Sequence, residues 1–159
     1  MMLFHGSHLT VEKPEISFSR ENVDFGRGFY TTPIKEQAVR WSERFKRKHG
    51  QSIVTTYELD ELILKKDIKI LEFKAYSDEW FDFIVKCRSG VLIDGYDVVI
   101  GGVANDKVFD TIQLYFDGLI SKSESIKKLR YEKPNIQYCF KNQAIIDEYL
   151  HFISSEVYQ

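Results

Sequence analysis

Cysteine and proline are scarce in this chain of 159 residues, which holds two of the first and three of the second. Cys87 and Cys139 stand far apart and outside any CxxC spacing, which argues against a zinc cluster or disulfide framework and fits a reducing compartment. Both read as buried thiols. With no Pro/Ser-rich or low-complexity tract and no internal repeat, the sequence offers no linker, and residues 1–159 read as a single domain of ordinary size. An excess of one charge is missing too. The 22 basic and 24 acidic side chains leave a formal charge of -2, so no general attraction to nucleic acid or anionic lipid is built in. The longest apolar runs, such as VVIGGVA, fall far short of a membrane span. The N-terminal MMLFHGSHLT lacks the basic segment and long apolar core of a signal peptide, so a cytoplasmic location without membrane contact is expected.

What is plentiful is aromatic: 14% of the chain, with 12 Phe and 9 Tyr. Such rings build cores or stack on planar ligands, and composition does not choose between the two. MLFHGS reads as a first strand, and His8 to Asn22 as a loop with one helical turn. FGRGFYTTP reads as a glycine-hinged strand stopped by Pro33, followed by a helix whose apolar face is Ala38, Trp41 and Phe45 and whose basic end, RFKRKHG, suits its dipole. SIVTTYEL and DIKILEF read as strands, with a helix capped by Ser77 after them. GYDVVIGG is a buried strand. It leads into a helix capped at Asn105 or Asp106, with Val108, Ile112, Tyr115 and Leu119 on one face. Ser121 and Glu124 form a capping box for a short helix. IQYCFK alternates as a strand, Asn142 caps a closing helix through Tyr149, and LHFI reads as a last strand. Strands and helices mix without the regular alternation of a doubly wound sheet, so the class is α+β.

Several nucleotide motifs are absent. FGRG lacks the third glycine of a dinucleotide fingerprint and runs into an aromatic pair rather than a helix, there is no P-loop, and the DFG at Asp24 to Gly26 has no kinase companions. His5 and His8 have no third His or Cys nearby, so no metal is expected. What remains is a set of short motifs in fixed order. HGS stands at His5 to Ser7, GFYTT at Gly28 to Thr32, and Trp41 lies eleven residues past Tyr30.

Together these motifs resemble the NAD-binding motifs of the ADP-ribosyltransferases, in the branch that contains diphtheria toxin and the poly(ADP-ribose) polymerases. A more extensive resemblance is to a bacterial family with HGS, DFGxGFYxT and YDxVIGxVAND patterns, seen here as DFGRGFYTT and YDVVIGGVAND and spanning nearly the whole chain. The resemblance implies an ADP-ribosyltransferase-like split β-sandwich: two antiparallel sheets, peripheral helices and an NAD cleft between the sheets. It implies NAD as a substrate and an NAD site built from His5, Gly6, Ser7, Gly28, Phe29, Tyr30, Thr31 and Trp41. Glycine at position 6 lets backbone N–H and C=O meet the nicotinamide carboxamide. Tyr30 and Trp41 would hold the ring between flat faces, each contact contributing about 0.5–1.5 kcal/mol beyond burial. His5 and Ser7 would bond the adenosine ribose and the nicotinamide ribose, and a neutral imidazole suits that role.

Such sites usually place a glutamate on a late strand to hold the ribose 2'-hydroxyl. Here PNIQYCF carries Gln137, which can accept a hydrogen bond but cannot take a proton or set a full charge beside the developing cation. Asn135 and Glu132 are lesser candidates, while Asn105 and Asp106 of VANDK face the acceptor or supply a carboxylate from another element. The function implied is transfer of one ADP-ribose to a macromolecule, whether protein, RNA or DNA, by a bacterial toxin or conflict-system component with a small antitoxin-like partner. A non-catalytic NAD or ADP-ribose binding module is the alternative, and an interaction domain without ligand a third reading. Each residue also has a plainer reading. Tyr30 and Trp41 serve as core aromatics, Gly26 and Gly28 permit a tight bulge, Gln137 faces solvent on an edge strand, and Asn105 or Asp106 caps a helix.

Overall fold

The computed structural model describes residues 1–130 and 135–159, with Asp106 described by its backbone alone. Its strands are β1 (Met2–Ser7), β2 (Phe29–Thr31), β3 (Ser52–Leu59), β4 (Ile70–Glu72), β5 (Val98–Gly102), β6 (Ile136–Phe140) and β7 (Leu150–Tyr158). Its helices are α1 (Lys35–His49), α2 (Asp78–Arg88), α3 (Asp106–Phe116), α4 (Lys122–Leu129) and α5 (Gln143–Tyr149). The strands form two sheets, ordered β1-β3-β7 and β2-β6-β5-β4. All pairings are antiparallel except β4 with β5. That parallel pair departs from the expected all-antiparallel sheets. Its cause is the connection, since α2 lies between the two strands and returns the chain to the end at which it started.

Strand alternation sorts the side chains into two cores. Leu3, Tyr57 and Leu59 of the first sheet meet Phe29, Val98 and Phe140 of the second, and Ile145, Ile146 and Tyr149 of α5 close this inter-sheet core. The opposite face of the second sheet, with Val99 and Cys139, is covered by Trp80, Phe81 and Ile84 of α2, Val108 and Ile112 of α3, and Leu129 of α4. Each large side chain so buried contributes about 1.5–3 kcal/mol relative to exposure. On the outer side of the first sheet, α1 lies so close to β1 that a Cβ built on Gly6 would stand 2.1 Å from the Ala38 carbonyl oxygen and 2.8 Å from the Ser42 nitrogen. Small residues must face that contact. The fully covered side of α1 is therefore Gln37, Ala38 and Ser42, and Trp41 and Phe45, expected on the core face, are only half-buried beside it.

The caps fall where the side-chain chemistry puts them. Ser77, Asn105, Ser121 and Asn142 accept from the backbone nitrogens of Trp80, Val108, Glu124 and Ala144, each worth about 1 kcal/mol. Two extents differ from expectation. Strand β2 covers only Phe29–Thr31, because Gly26 adopts φ 75° and turns the preceding segment. Leu119 lies beyond the end of α3 and is exposed.

Candidate functional site

Where the two sheets meet, β1 and β2 share a single antiparallel bridge, Phe4 with Thr32. Its two bonds run from Phe4 N to Thr32 O at 2.8 Å and from Thr32 N to Phe4 O at 2.9 Å. One step further the ladder would join Gly6 to Tyr30, and it does not: β1 goes on along β3 and β2 along β6. The Tyr30 carbonyl accepts instead from Nδ1 of His5 at 2.7 Å. A carbonyl offers only lone pairs, so the His5 proton sits on Nδ1 and Nε2 presents a lone pair. Burial lowers the His5 pKa more than the bond to the Tyr30 carbonyl raises it, so the ring is neutral at pH 7, and it lies 4.5 Å from the Phe29 ring. Strand alternation turns the Gly6 N–H and C=O to the same side as those of Phe4, away from β3 and into the split. A strand edge interrupted at a glycine beside a neutral, oriented histidine is a place where a planar amide could pair.

The other expected contacts are distributed around this split. Ser7 is buried, and its Oγ accepts from Leu9 N at 3.2 Å, closing a turn. Gly28 crosses β6 so tightly that a Cβ there would lie 2.4 Å from the Cys139 sulfur. Phe29 and Thr31 point into the inter-sheet core, Phe29 edge-on to Tyr57 and Thr31 fully buried. Tyr30 faces the other way, half-buried, with its ring stacked at 6.5 Å on Phe25. Its hydroxyl donates to the Gly26 carbonyl at 2.6 Å and accepts from Phe25 N at 2.9 Å. Burial first, then the neighbouring Cys139 and Asp24, push its pKa well above the ordinary range. The hydroxyl is thus a tether for the turn and not an acid or base. Trp41 belongs to neither core and pairs with no other ring among the described residues. The Tyr30–Trp41 slot is not preformed as a ring contact.

Gln137 is where the plainer reading fails. It lies on an interior strand and is 3% exposed, so it is neither on an edge nor solvent-facing. Its Nε2 donates to Asp24 Oδ2 at 3.0 Å and to the Gly102 carbonyl at 3.3 Å. Asp24, which heads the DFGRGFYTT pattern but is given no role there, is itself 7% exposed. Its Oδ2 also accepts from Ala104 N at 3.0 Å, and its Oδ1 accepts from both Nε (3.1 Å) and Nη2 of Arg88. The Arg88 guanidinium rests 4.7 Å from the Phe109 ring centre. On the same face of β6, Lys141 donates to the carbonyls of Phe25 (2.6 Å) and Arg27 (2.8 Å). Gln137 and Lys141 thus pin the segment Asp24–Gly28 across the strand like a strap. The sequence signal for Asp24 is its place at the head of DFGRGFYTT, but its partners come from positions 88, 104 and 137, which spacing does not connect.

Asn105 caps α3 with its side-chain oxygen, 3.0 Å from Val108 N. Glu132 and the side chain of Asp106 lie outside the described residues, and Asn135 O accepts from Val103 N at 3.2 Å. Cys87 and Cys139 are buried, with their thiols pushed by desolvation up to about 11 and about 12. Among the described residues no group of three or more His, Cys, Asp or Glu is arranged to hold a metal ion, and no helix is long and apolar enough to cross a membrane. A separate cleft of about 670 Å³ lies between residues 12–17 and α5, lined by Glu12, Glu15, Gln143 and Asp147 among others. None of the expected NAD contacts borders it.

A family model described as a protein of unknown function (DUF3990) matches residues 1–152. No curated protein and no solved structure matches the chain.

Proposed function

The chain belongs to the DUF3990 family, whose function is unknown, and from its own residues we propose that it is an NAD-dependent mono-ADP-ribosyltransferase. In this reading the two sheets are the halves of an ADP-ribosyltransferase-like split sandwich, and NAD enters where the β1–β2 ladder breaks off. The observation that carries the reading is that break: a single bridge at Phe4 and Thr32, then a glycine backbone turned into the split and a carbonyl diverted to His5. The nicotinamide carboxamide takes the Gly6 N–H and C=O as a two-point contact, and the ring lies against Tyr30. His5 Nε2 accepts from the adenosine ribose, the Ser7 hydroxyl meets the nicotinamide ribose, and the Gln137 carbonyl accepts from the 2'-hydroxyl.

The bond between ribose C1' and the pyridinium nitrogen then breaks, its electron pair goes to the ring, and nicotinamide leaves neutral. The oxocarbenium-like ribose is captured by a nucleophile of the acceptor. Neither Gln137 nor the Tyr30 hydroxyl can take the acceptor's proton, so it passes to solvent, which favours a single transfer over chain elongation. The acceptor is a protein or nucleic acid, and the role is that of a bacterial toxin or conflict-system component restrained by a small partner. One observation favours the binding-module reading: Gln137 is almost wholly enclosed and no carboxylate occupies its position.

Purified protein incubated with doubly labelled NAD and cell extract separates the two. Nicotinamide release with label in a protein, RNA or DNA fraction is the expected result. Tight binding with neither supports the binding module, and absence of binding contradicts both.

A further inference from the structure

We propose that Asp24 is a positioning residue: it locks the Gln137 amide with its carbonyl oxygen as the only group left to meet the ribose, and lends that oxygen part of a carboxylate's charge. The inference rests on the NAD reading above, and it answers the substitution of glutamine on β6 from a different element.

The orientation follows from which atoms can donate. The Asp24 carboxylate and the Gly102 carbonyl carry only lone pairs, and both lie within hydrogen-bond distance of one Gln137 terminal atom, at 3.0 and 3.3 Å. That atom must be the NH2. A flipped amide would set its oxygen against a carboxylate and a carbonyl at once. Both amide hydrogens are therefore spent, and no described residue donates to Oε1. Asp24 cannot turn away either. Ala104 N holds Oδ2 at 3.0 Å, the Arg88 fork holds Oδ1, and Arg88 is flanked by Phe109. The strap before β2, the end of α2, the exit of β5 and the start of β6 all meet on this one carboxylate.

The second half of the inference is electronic. A carboxylate accepting from an amide NH2 draws electron density through the amide toward its oxygen, and in a buried site such chains of hydrogen bonds strengthen one another. Gln137 Oε1 is then a better acceptor for the 2'-hydroxyl than an isolated glutamine would be. Arg88 takes up part of the charge, so Oε1 remains weaker than a true carboxylate.

The test compares the wild-type chain with Asp24→Asn, an isosteric change that exchanges one acceptor oxygen for an NH2 group. Two readouts are taken: the side-chain amide signals of Gln137 in a 15N–1H spectrum, and steady-state nicotinamide release. The wild type is expected to show two resolved Gln137 amide protons in slow exchange with water. In Asp24→Asn these should exchange at least about tenfold faster, while kcat falls at least about tenfold and KM for NAD stays within about threefold. Loss of kcat and KM together, in proportion to a fall in Tm, would assign Asp24 a purely structural role and overturn the inference. So would an unchanged kcat in a folded Asp24→Asn. If that variant does not fold, Arg88→Lys keeps the charge but removes the two-pronged grip. It is expected to lower kcat with KM unchanged, and wild-type kcat there is the overturning result. Wild type that neither binds nor cleaves NAD sinks the NAD reading and this inference with it, whereas NAD cleavage indifferent to Asp24 sinks the inference alone.

Discussion

Gly6 meets two demands that pull in one direction. Toward α1 it has no room for a methyl group, and toward β2 its backbone is turned into the split. A substitution meant to probe ligand binding there would disturb packing first. Gly6→Ala is expected to destabilise the fold by about 3 kcal/mol, at the upper end of overpacking costs, read as a shift in the urea midpoint at unchanged m-value; a shift near zero would mean that α1 can lift away from β1 freely. The cleaner probe of the site is Tyr30→Phe, which keeps the ring but removes the tether to Gly26 and Phe25. Retained NAD binding with faster proteolysis of the strap is the outcome expected. The buried thiols give another check. With both groups held protonated by desolvation, Cys87 and Cys139 should resist a thiol reagent at pH 8 until the protein is unfolded, and rapid labelling of the native protein would contradict their burial.

At the scale of elements, the strap Asp24–Gly28 is held from β6 and the residue after it, and Lys141 is its more accessible fastening. Lys141→Met keeps the aliphatic stem and loses two charge-assisted bonds to the carbonyls of Phe25 and Arg27. A loss of about 1–3 kcal/mol is expected, with protease cleavage appearing near Arg27, and unchanged protection would show that Asp24 alone holds the segment. The helix caps were legible in the sequence because each lies within three residues of its partner, as Ser77 does to Trp80 and Asn142 to Ala144. Strand β7 was legible only in its first residues. It runs to Tyr158 along the edge of its sheet with nearly every side chain exposed, so the apolar alternation that marks a half-buried strand is missing from ISSEVY. The face of α1 was misread for the opposite reason, because spacing points to its large apolar residues while the close approach of β1 selects Ala38 and Ser42.

Over the whole molecule, the α+β class and most elements follow from local patterns, whereas the parallel β4–β5 pair, the burial of Gln137 and the Asp24–Arg88 pair depend on which distant elements meet. Stability as a function of pH is a property at this scale. His5 and His49 both have pKa values lowered chiefly by desolvation, His49 also by neighbouring His8 and Lys48. For a base whose folded pKa lies below its unfolded value, the unfolded chain binds the proton first as pH falls, so the stabilisation is complete above about pH 6.5 and declines below it. Thermal midpoints at pH 7.5, 6.5 and 5.5 should therefore decrease in that order, and a midpoint that rises toward pH 5.5 would contradict a neutral His5.

In the proposed function, a ligand pairs with β1 where its ladder to β2 stops. Titrating 15N-labelled protein with NAD tests it most directly. The Gly6 amide and the His5 ring signals are expected to shift on binding, while amides bordering the cleft between residues 12–17 and α5 stay in place. Shifts confined to that cleft, with Gly6 and His5 unmoved, would contradict it.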